Sequence, residues 1–218
     1  MTIRVLIVDD QALVRSGFRM LLDSSDDIDV VGEAENGAEA LERMATSPVD
    51  VVLMDIRMPV MDGVETTKRI VASGAPAHVL VLTTFDADEY VYAALRAGAS
   101  GFLLKDSRPA ELLQAIRSVA NGDAVVAPSA TRRLLDRFVP MLPTSQGRRD
   151  SRLDVLTDRE REVLVEIAKG ATNAEISATL YMAEGTVKTH IGRLFTKLHA
   201  RDRVQLVLIA YETELVKP

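Results

Sequence analysis

Five short apolar runs, each followed by a segment of helical character, constrain the first 122 residues more than any other feature of the chain. The runs fall at residues 5–8, 30–34, 51–54, 79–82 and 101–104. Near-continuous aliphatic and β-branched residues over four or five positions suit strands buried on both faces. Between the first two runs, Leu13, Phe18, Leu21 and Leu22 predict the apolar stripe of a helix. Further helical segments are predicted at 38–45, 64–73, 87–97 and 109–121. Pro109 suits the first turn of the last one, and Gly122 reads as its stop. Five strand–helix units of this length predict a doubly wound, five-stranded parallel sheet in the order 2-1-3-4-5.

The runs end in chemistry. Asp9-Asp10, Asp55, Thr83 and Lys105 each close one of four of them. In an open α/β sheet the carboxyl ends of the strands border the ligand crevice, so these residues face one point. Carboxylates supply the hard oxygens that a divalent cation such as Mg2+ prefers. Asp55, at the end of the central strand, is placed as a nucleophile toward a phosphoryl group. Lys105 offers a point positive charge and Thr83 a hydroxyl to the phosphoryl oxygens. Taken singly, each has a plainer reading: a loop start, a solvated lysine, a β-branched strand residue. Taken together they describe a site for a metal ion and a phosphoryl group.

Charge divides the chain unevenly. Residues 1–122 carry 11 Lys and Arg against 19 Asp and Glu, residues 123–152 carry 6 against 3, and residues 153–218 carry 9 against 10. The whole chain has a net charge of −6. An acidic first half repels nucleic acid, yet Lys188, Arg193, Lys197, Arg201 and Arg203 make a locally basic stretch, and at physiological salt the local field decides. Apolar residues make up 47% of the chain, enough for packed cores. The absence of cysteine excludes disulfide and thiolate chemistry. No apolar run reaches the ~20 residues of a membrane span. The N-terminus lacks a signal-peptide cleavage region, so a cytoplasmic location without membrane association is expected.

After residue 122 the pattern changes. A short amphipathic helix is expected at 129–139, then a linker with Pro140, Pro143 and Gly147. The expected organisation is a domain at 1–122, a linker at 123–152 and an all-helical domain at 153–218. In the last, Thr157 with Glu160 and Thr172 with Glu175 are capping-box pairs, and Gly170 stops the first helix. Helices are expected from about 184 to 198 and from 202 to about 214, making four. The pair around Tyr181-Met182-Ala183 has helix-turn-helix form, whose second helix can enter the major groove. Val187, Ile191, Leu194 and Leu198 then face the core, leaving Lys188, Thr189, Gly192 and Arg193 outward. On pattern alone, a plain amphipathic surface helix stays open. Ala183 stands at the helix cap without a side-chain acceptor. His190 has no metal partner at suitable spacing.

Asp9-Asp10, the stretch from Met54 through Asp55 and Pro59 to Gly63, Thr83-Thr84 and Lys105 resemble the receiver domain of a two-component response regulator, over about residues 3–122. The resemblance implies a flavodoxin-like fold and transfer of phosphate from a cognate sensor histidine kinase to Asp55. It implies Mg2+, or another divalent cation, held by Asp10, Asp55 and the backbone carbonyl of Arg57, with Asp9 in indirect support. It further implies that Thr83 moves toward the phosphoryl group, that Phe102 follows, and that the surface of the fourth helix, fifth strand and fifth helix changes. Phe102 has no hydroxyl, so a change there is one of packing. Phe85 and Arg57 are placed to crowd the approach of hydrolytic water.

Leu156 to Leu164, Gly170 to Ile176 and Gly185 to His190 resemble a LuxR-type DNA-binding domain, and the match continues through Val207. With the receiver this is similar to the NarL/FixJ arrangement. It implies binding to double-stranded promoter DNA, with base contacts from Lys188 and Thr189 and Arg193 as a further candidate. Thr172, Thr186 and Lys197 are candidates for phosphate contacts, which position without specifying. A homodimer on phosphorylation is expected, with Val204, Leu208 and Tyr211 as a candidate apolar stripe; packing of that stripe within its own domain is the alternative. A phosphohydrolase using an aspartyl phosphate is the competing enzyme reading. Arg57, standing where a second aspartate would serve as general acid, argues against it. A constitutive DNA binder with a vestigial receiver is opposed by the complete set of Asp10, Asp55, Thr83 and Lys105. The chain therefore reads as a non-enzymatic transcription factor that loses its own phosphate at most stoichiometrically.

Overall fold

The computed structural model describes residues 2–83, 88–121 and 151–216. The helix expected at 129–139, most of the linker and Phe85 lie outside the described residues. The chain divides into two compact units, Met1–Val125 and Val126–Pro218.

In the first unit β1 (Ile3–Val8), β2 (Ile28–Ala34), β3 (Val51–Asp55), β4 (His78–Thr83) and β5 (Gly101–Leu104) form one sheet in the order β2-β1-β3-β4-β5. Every pairing is parallel. Five helices connect and follow the strands: α1 (Ala12–Leu22), α2 (Gly37–Thr46), α3 (Gly63–Ala72), α4 (Asp88–Arg96) and α5 (Pro109–Ala120). The order and all ten elements match the sequence expectation, because strands covered on both faces are uniformly apolar. β3, in the centre, is buried at all five positions. Val5, Ile7, Val51, Leu53, Leu80 and Leu82 pack on one face with Leu22 of α1 and Leu112, Ala115, Ile116 and Val119 of α5. Strand alternation turns Leu6, Val8, Val52 and Met54 to the other face, where α2, α3 and α4 pack on one another.

One helix differs from its expected face. Phe18, Leu21 and Leu22 join the core, but Leu13 is 86% exposed. Leu13 and Leu22 are nine residues apart, about 180° around a helix, so one stripe cannot bury both.

The described part of the second unit begins with a 3-10 turn at Ser151–Val155 and continues with α6 (Asp158–Ala168), α7 (Asn173–Leu180), α8 (Glu184–Leu198) and α9 (Arg203–Glu212). Both capping boxes form: Thr157 with Glu160 at α6, and Thr172 with Glu175 at α7. Gly170 follows α6 at φ 80°, a conformation that a Cβ disfavours. Asp202 caps α9 by accepting from the Gln205 N–H at 3.1 Å. Val163, Leu164 and Ile167 of α6, Ile176 of α7, Val187 and Leu194 of α8 and Leu206 of α9 meet in one fully buried cluster. Among the described residues no helix is long and apolar enough to cross a membrane.

Candidate functional site

The strand register sets the first site. Val8 pairs with Met54, Asp55 with Leu82 and Thr83 with Leu104. Asp9, Asp55, Thr83 and Lys105 therefore emerge at the same edge of the sheet. Asp9 and Asp55 are buried, Asp10 is exposed, and one carboxylate oxygen from each lies within 4.8 Å of the others. The Lys105 ammonium bridges two of them, 2.7 Å from Asp9 Oδ2 and 2.8 Å from Asp55 Oδ2. The remaining oxygens are used as well. Asp9 Oδ1 accepts from the Gln11 N–H at 2.9 Å, and Asp55 Oδ1 from the Ile56 N–H at 2.8 Å.

Burial pushes the Asp55 carboxyl above its ordinary pKa and outweighs the opposing pull of Lys105. Burial also works to lower the Lys105 pKa, but its hydrogen bonds to Asp55 and Asp9 win, and the ammonium is held above its usual range. Among the described residues one cation, Lys105, contacts Asp9 and Asp55, and Asp10 adds a third carboxylate, leaving uncompensated negative charge at a point lined with hard oxygens. That donor set fits a hard divalent cation.

The loop after Asp55 is tightly built. Gly63 N–H donates to the Ile56 carbonyl at 2.8 Å, and a Cβ at Gly63 would stand 2.2 Å from the Asp55 carbonyl oxygen. α3 therefore starts directly against the strand end that carries Asp55, which only glycine permits. Asp62 caps α3 by accepting from the Glu65 N–H at 2.8 Å. In the loop between Asp55 and α3, Val60 adopts φ 67° with its side chain 86% exposed, an uncommon state for a β-branched residue.

Thr83 is buried at the end of β4, and its carbonyl accepts from the Lys105 N–H at 2.8 Å. Phe102, half-buried on β5, pairs with Val81. Arg57 has an exposed side chain two residues past Asp55.

In the second unit α8 presents the expected faces. Val187, Ile191, Leu194 and Leu198 are buried, whereas Thr186, Lys188, Thr189, Gly192 and Arg193 are exposed. The Thr189 hydroxyl donates to the Gly185 carbonyl at 3.0 Å. Ala183 caps the helix without a side-chain hydrogen bond. Thr172 uses its hydroxyl oxygen as the α7 cap, accepting from the Glu175 N–H at 3.2 Å.

Lys197 has a partner that sequence spacing does not reveal. Its ammonium lies 2.7 Å from Glu160 Oε2, and Glu160 is only 1% exposed. Burial acts to raise the Glu160 pKa, but hydrogen bonds from Lys197 and Thr157 overcome it and lower the value to about 2. On the α9 stripe Val204 and Leu208 are each 5% exposed and Tyr211 is half-buried. Tyr211 packs against the core of the second unit.

Two family models cover most of the chain: the response regulator receiver domain matches residues 5–117, and the luxR family of bacterial regulatory proteins matches residues 154–210. An uncharacterized transcriptional regulatory protein, YxjL of Bacillus subtilis, is 38% identical over 99% of this chain and 98% of its own. The response regulator protein VraR of Staphylococcus aureus is 37% identical over 100% of both. Among solved structures, the response regulator ChrA of a heme-sensing two-component system is 36% identical, covers 99% of both chains and superposes with a TM-score of 0.55.

Proposed function

Because this chain belongs to the response regulators that join a receiver domain to a LuxR-type DNA-binding domain, we propose that Asp55 is its phosphoacceptor and that phosphorylation there controls how α8 reads DNA. The convergence of Asp9, Asp10, Asp55 and Lys105 on one strand-end crevice carries this reading.

A carboxylate oxygen of Asp55 attacks the phosphorus of a phosphohistidine on the sensor kinase. A P–O bond forms, the P–N bond breaks, and the electron pair leaves with the imidazole nitrogen, which is protonated from solvent. Lys105, already between Asp9 and Asp55, is the cation in place to hold a phosphoryl oxygen. Asp10, Asp55 and the Arg57 carbonyl would hold Mg2+ or another divalent cation, with Asp9 in support. When bound, the metal offsets the repulsion between these carboxylates and the incoming phosphate. The Thr83 hydroxyl turns to a phosphoryl oxygen, and Phe102 repacks behind it. Phosphate loss is stoichiometric, because no second acid stands two residues past Asp55.

The functional division follows the boundaries 1–122, 123–152 and 153–218. On α8, Lys188, Thr189 and Arg193 meet base edges in the major groove of promoter DNA, while Thr172, Thr186 and Lys197 position the backbone. Phosphorylation favours a homodimer, and the protein works in the cytoplasm. The test is incubation with acetyl phosphate and Mg2+, followed by mass spectrometry and DNA-binding measurements. Wild type gains one phosphoryl group and binds DNA more tightly; Asp55→Asn does neither. Stimulated DNA binding in Asp55→Asn refutes the switch.

A further inference from the structure

Tyr181 closes α7 in the left-handed region, at φ 51° and ψ 50°. Glycine and asparagine favour that conformation, because a Cβ crowds the neighbouring carbonyl. The side chain is 95% exposed, so its ring gains no packing in return. The peptide groups on either side are nevertheless fixed. Arg159 of α6 donates to the Leu180 carbonyl. The Met182 N–H donates to the Ser177 carbonyl at 3.1 Å, and the Ser177 hydroxyl donates to the Met182 carbonyl at 2.6 Å. The fold thus holds a strained backbone rigidly and displays a large amphipathic side chain in water. Display of this kind lowers the entropy lost on binding.

The place of the ring selects what it meets. Tyr181 stands three residues before α8, at the end of that helix carrying the exposed Thr186, Lys188 and Thr189. Three residues reach at most ~10 Å, and a major groove about 12 Å wide is bordered by the phosphate backbones. A side chain just ahead of a helix lodged in the groove falls against that border, away from the base edges. A phenol suits it, with a ring face for the deoxyribose and a hydroxyl donor for the phosphate.

We propose that Tyr181 is a DNA-backbone contact whose hydroxyl donates to a phosphate oxygen beside the groove that α8 enters. The proposal rests on the reading of α8 as the groove helix. It gives the turn between α7 and α8 a function of its own: it sets the angle of entry while adding no base preference.

The experiment uses the full chain and a duplex enriched by the wild-type protein from a random-sequence pool, with a scrambled duplex of equal length. Dissociation constants across a salt series and thermal midpoints are measured for Tyr181→Gly, Tyr181→Phe and Lys188→Ala. Tyr181→Gly and Tyr181→Phe are expected to weaken both duplexes about tenfold. The salt dependence keeps its slope, because no cation is lost. Tyr181→Gly leaves the thermal midpoint unchanged or higher, since it relieves the left-handed tyrosine. Wild-type affinity in both tyrosine variants, with Lys188→Ala weakened, overturns the contact while leaving the α8 reading intact. Wild-type affinity in all three overturns both. Weakened binding by Tyr181→Gly with a lowered midpoint, together with wild-type binding by Tyr181→Phe, makes the residue structural and also overturns the proposal.

Discussion

Replacing Lys105 by methionine keeps the length of the side chain and removes, among the described residues, the one cation in contact with the buried carboxylates. The Lys105 side chain is 14% exposed, and its partners Asp9 and Asp55 are 1% and 10% exposed. Each charge-assisted hydrogen bond is worth ~1.5–3 kcal/mol, and breaking a buried ion pair from one side costs ~3–5 kcal/mol. Asp55, already raised above its ordinary pKa by burial, can take up a proton and limit the loss. The expected destabilisation of the receiver unit is therefore about 2–4 kcal/mol in metal-free buffer. Mg2+ should recover much of it, because a cation that binds only the folded site stabilises by mass action, and a site without Lys105 is more negative. Urea unfolding followed by circular dichroism, with EDTA or with millimolar MgCl2, measures both effects. The reasoning fails if Lys105→Met is as stable as wild type in EDTA, or if Mg2+ stabilises the variant no more than wild type.

Three further outcomes are expected. Glu160, lowered to about 2 from 4.5, contributes stability that is full above pH 4.5 and is lost as pH falls through about 2. Glu160→Gln keeps the capping box and should cost about 2 kcal/mol at pH 7, discounted for the half-exposed Lys197, with the gap to wild type closing below pH 3 in a pH series of unfolding curves. Gly63→Ala, which brings a Cβ to 2.2 Å from the Asp55 carbonyl oxygen, should destabilise the receiver by about 2–3 kcal/mol and slow labelling by acetyl phosphate. Gly17→Ala on α1, where a Cβ meets nothing within 4 Å, should instead stabilise it by up to ~1 kcal/mol; equal thermal shifts for the two glycines would contradict the close-approach argument.

The sheet order and the crevice were legible because both follow from local patterns. A strand covered on both faces, such as β3, writes its burial as an unbroken apolar run, and the polar residue that ends it marks the sheet edge where the carboxylates meet. The capping boxes at Thr157 and Thr172 were legible for the same reason: a cap is set by residues three apart. What escaped is nonlocal or conformational. The Lys197–Glu160 pair joins residues 37 positions apart, and nothing in either neighbourhood marks it. Leu13 fitted an apolar stripe in composition while standing on the opposite side of α1. The left-handed backbone at Tyr181 and Val60 has no signal, since neither residue type favours it.

Gly192 sits in the middle of the exposed face of α8, and a Cβ there would meet nothing within 4 Å. Glycine inside a helix costs about 1 kcal/mol relative to alanine, and here neither close packing nor a left-handed turn requires it. The fold therefore leaves this position unspoken for. A single substitution adds a side chain to the face proposed to meet DNA and strengthens the helix at the same time. If α8 is the groove helix, a new side chain at Gly192 alters what that face offers to DNA while the helix gains stability, so recognition can change there with no penalty to folding.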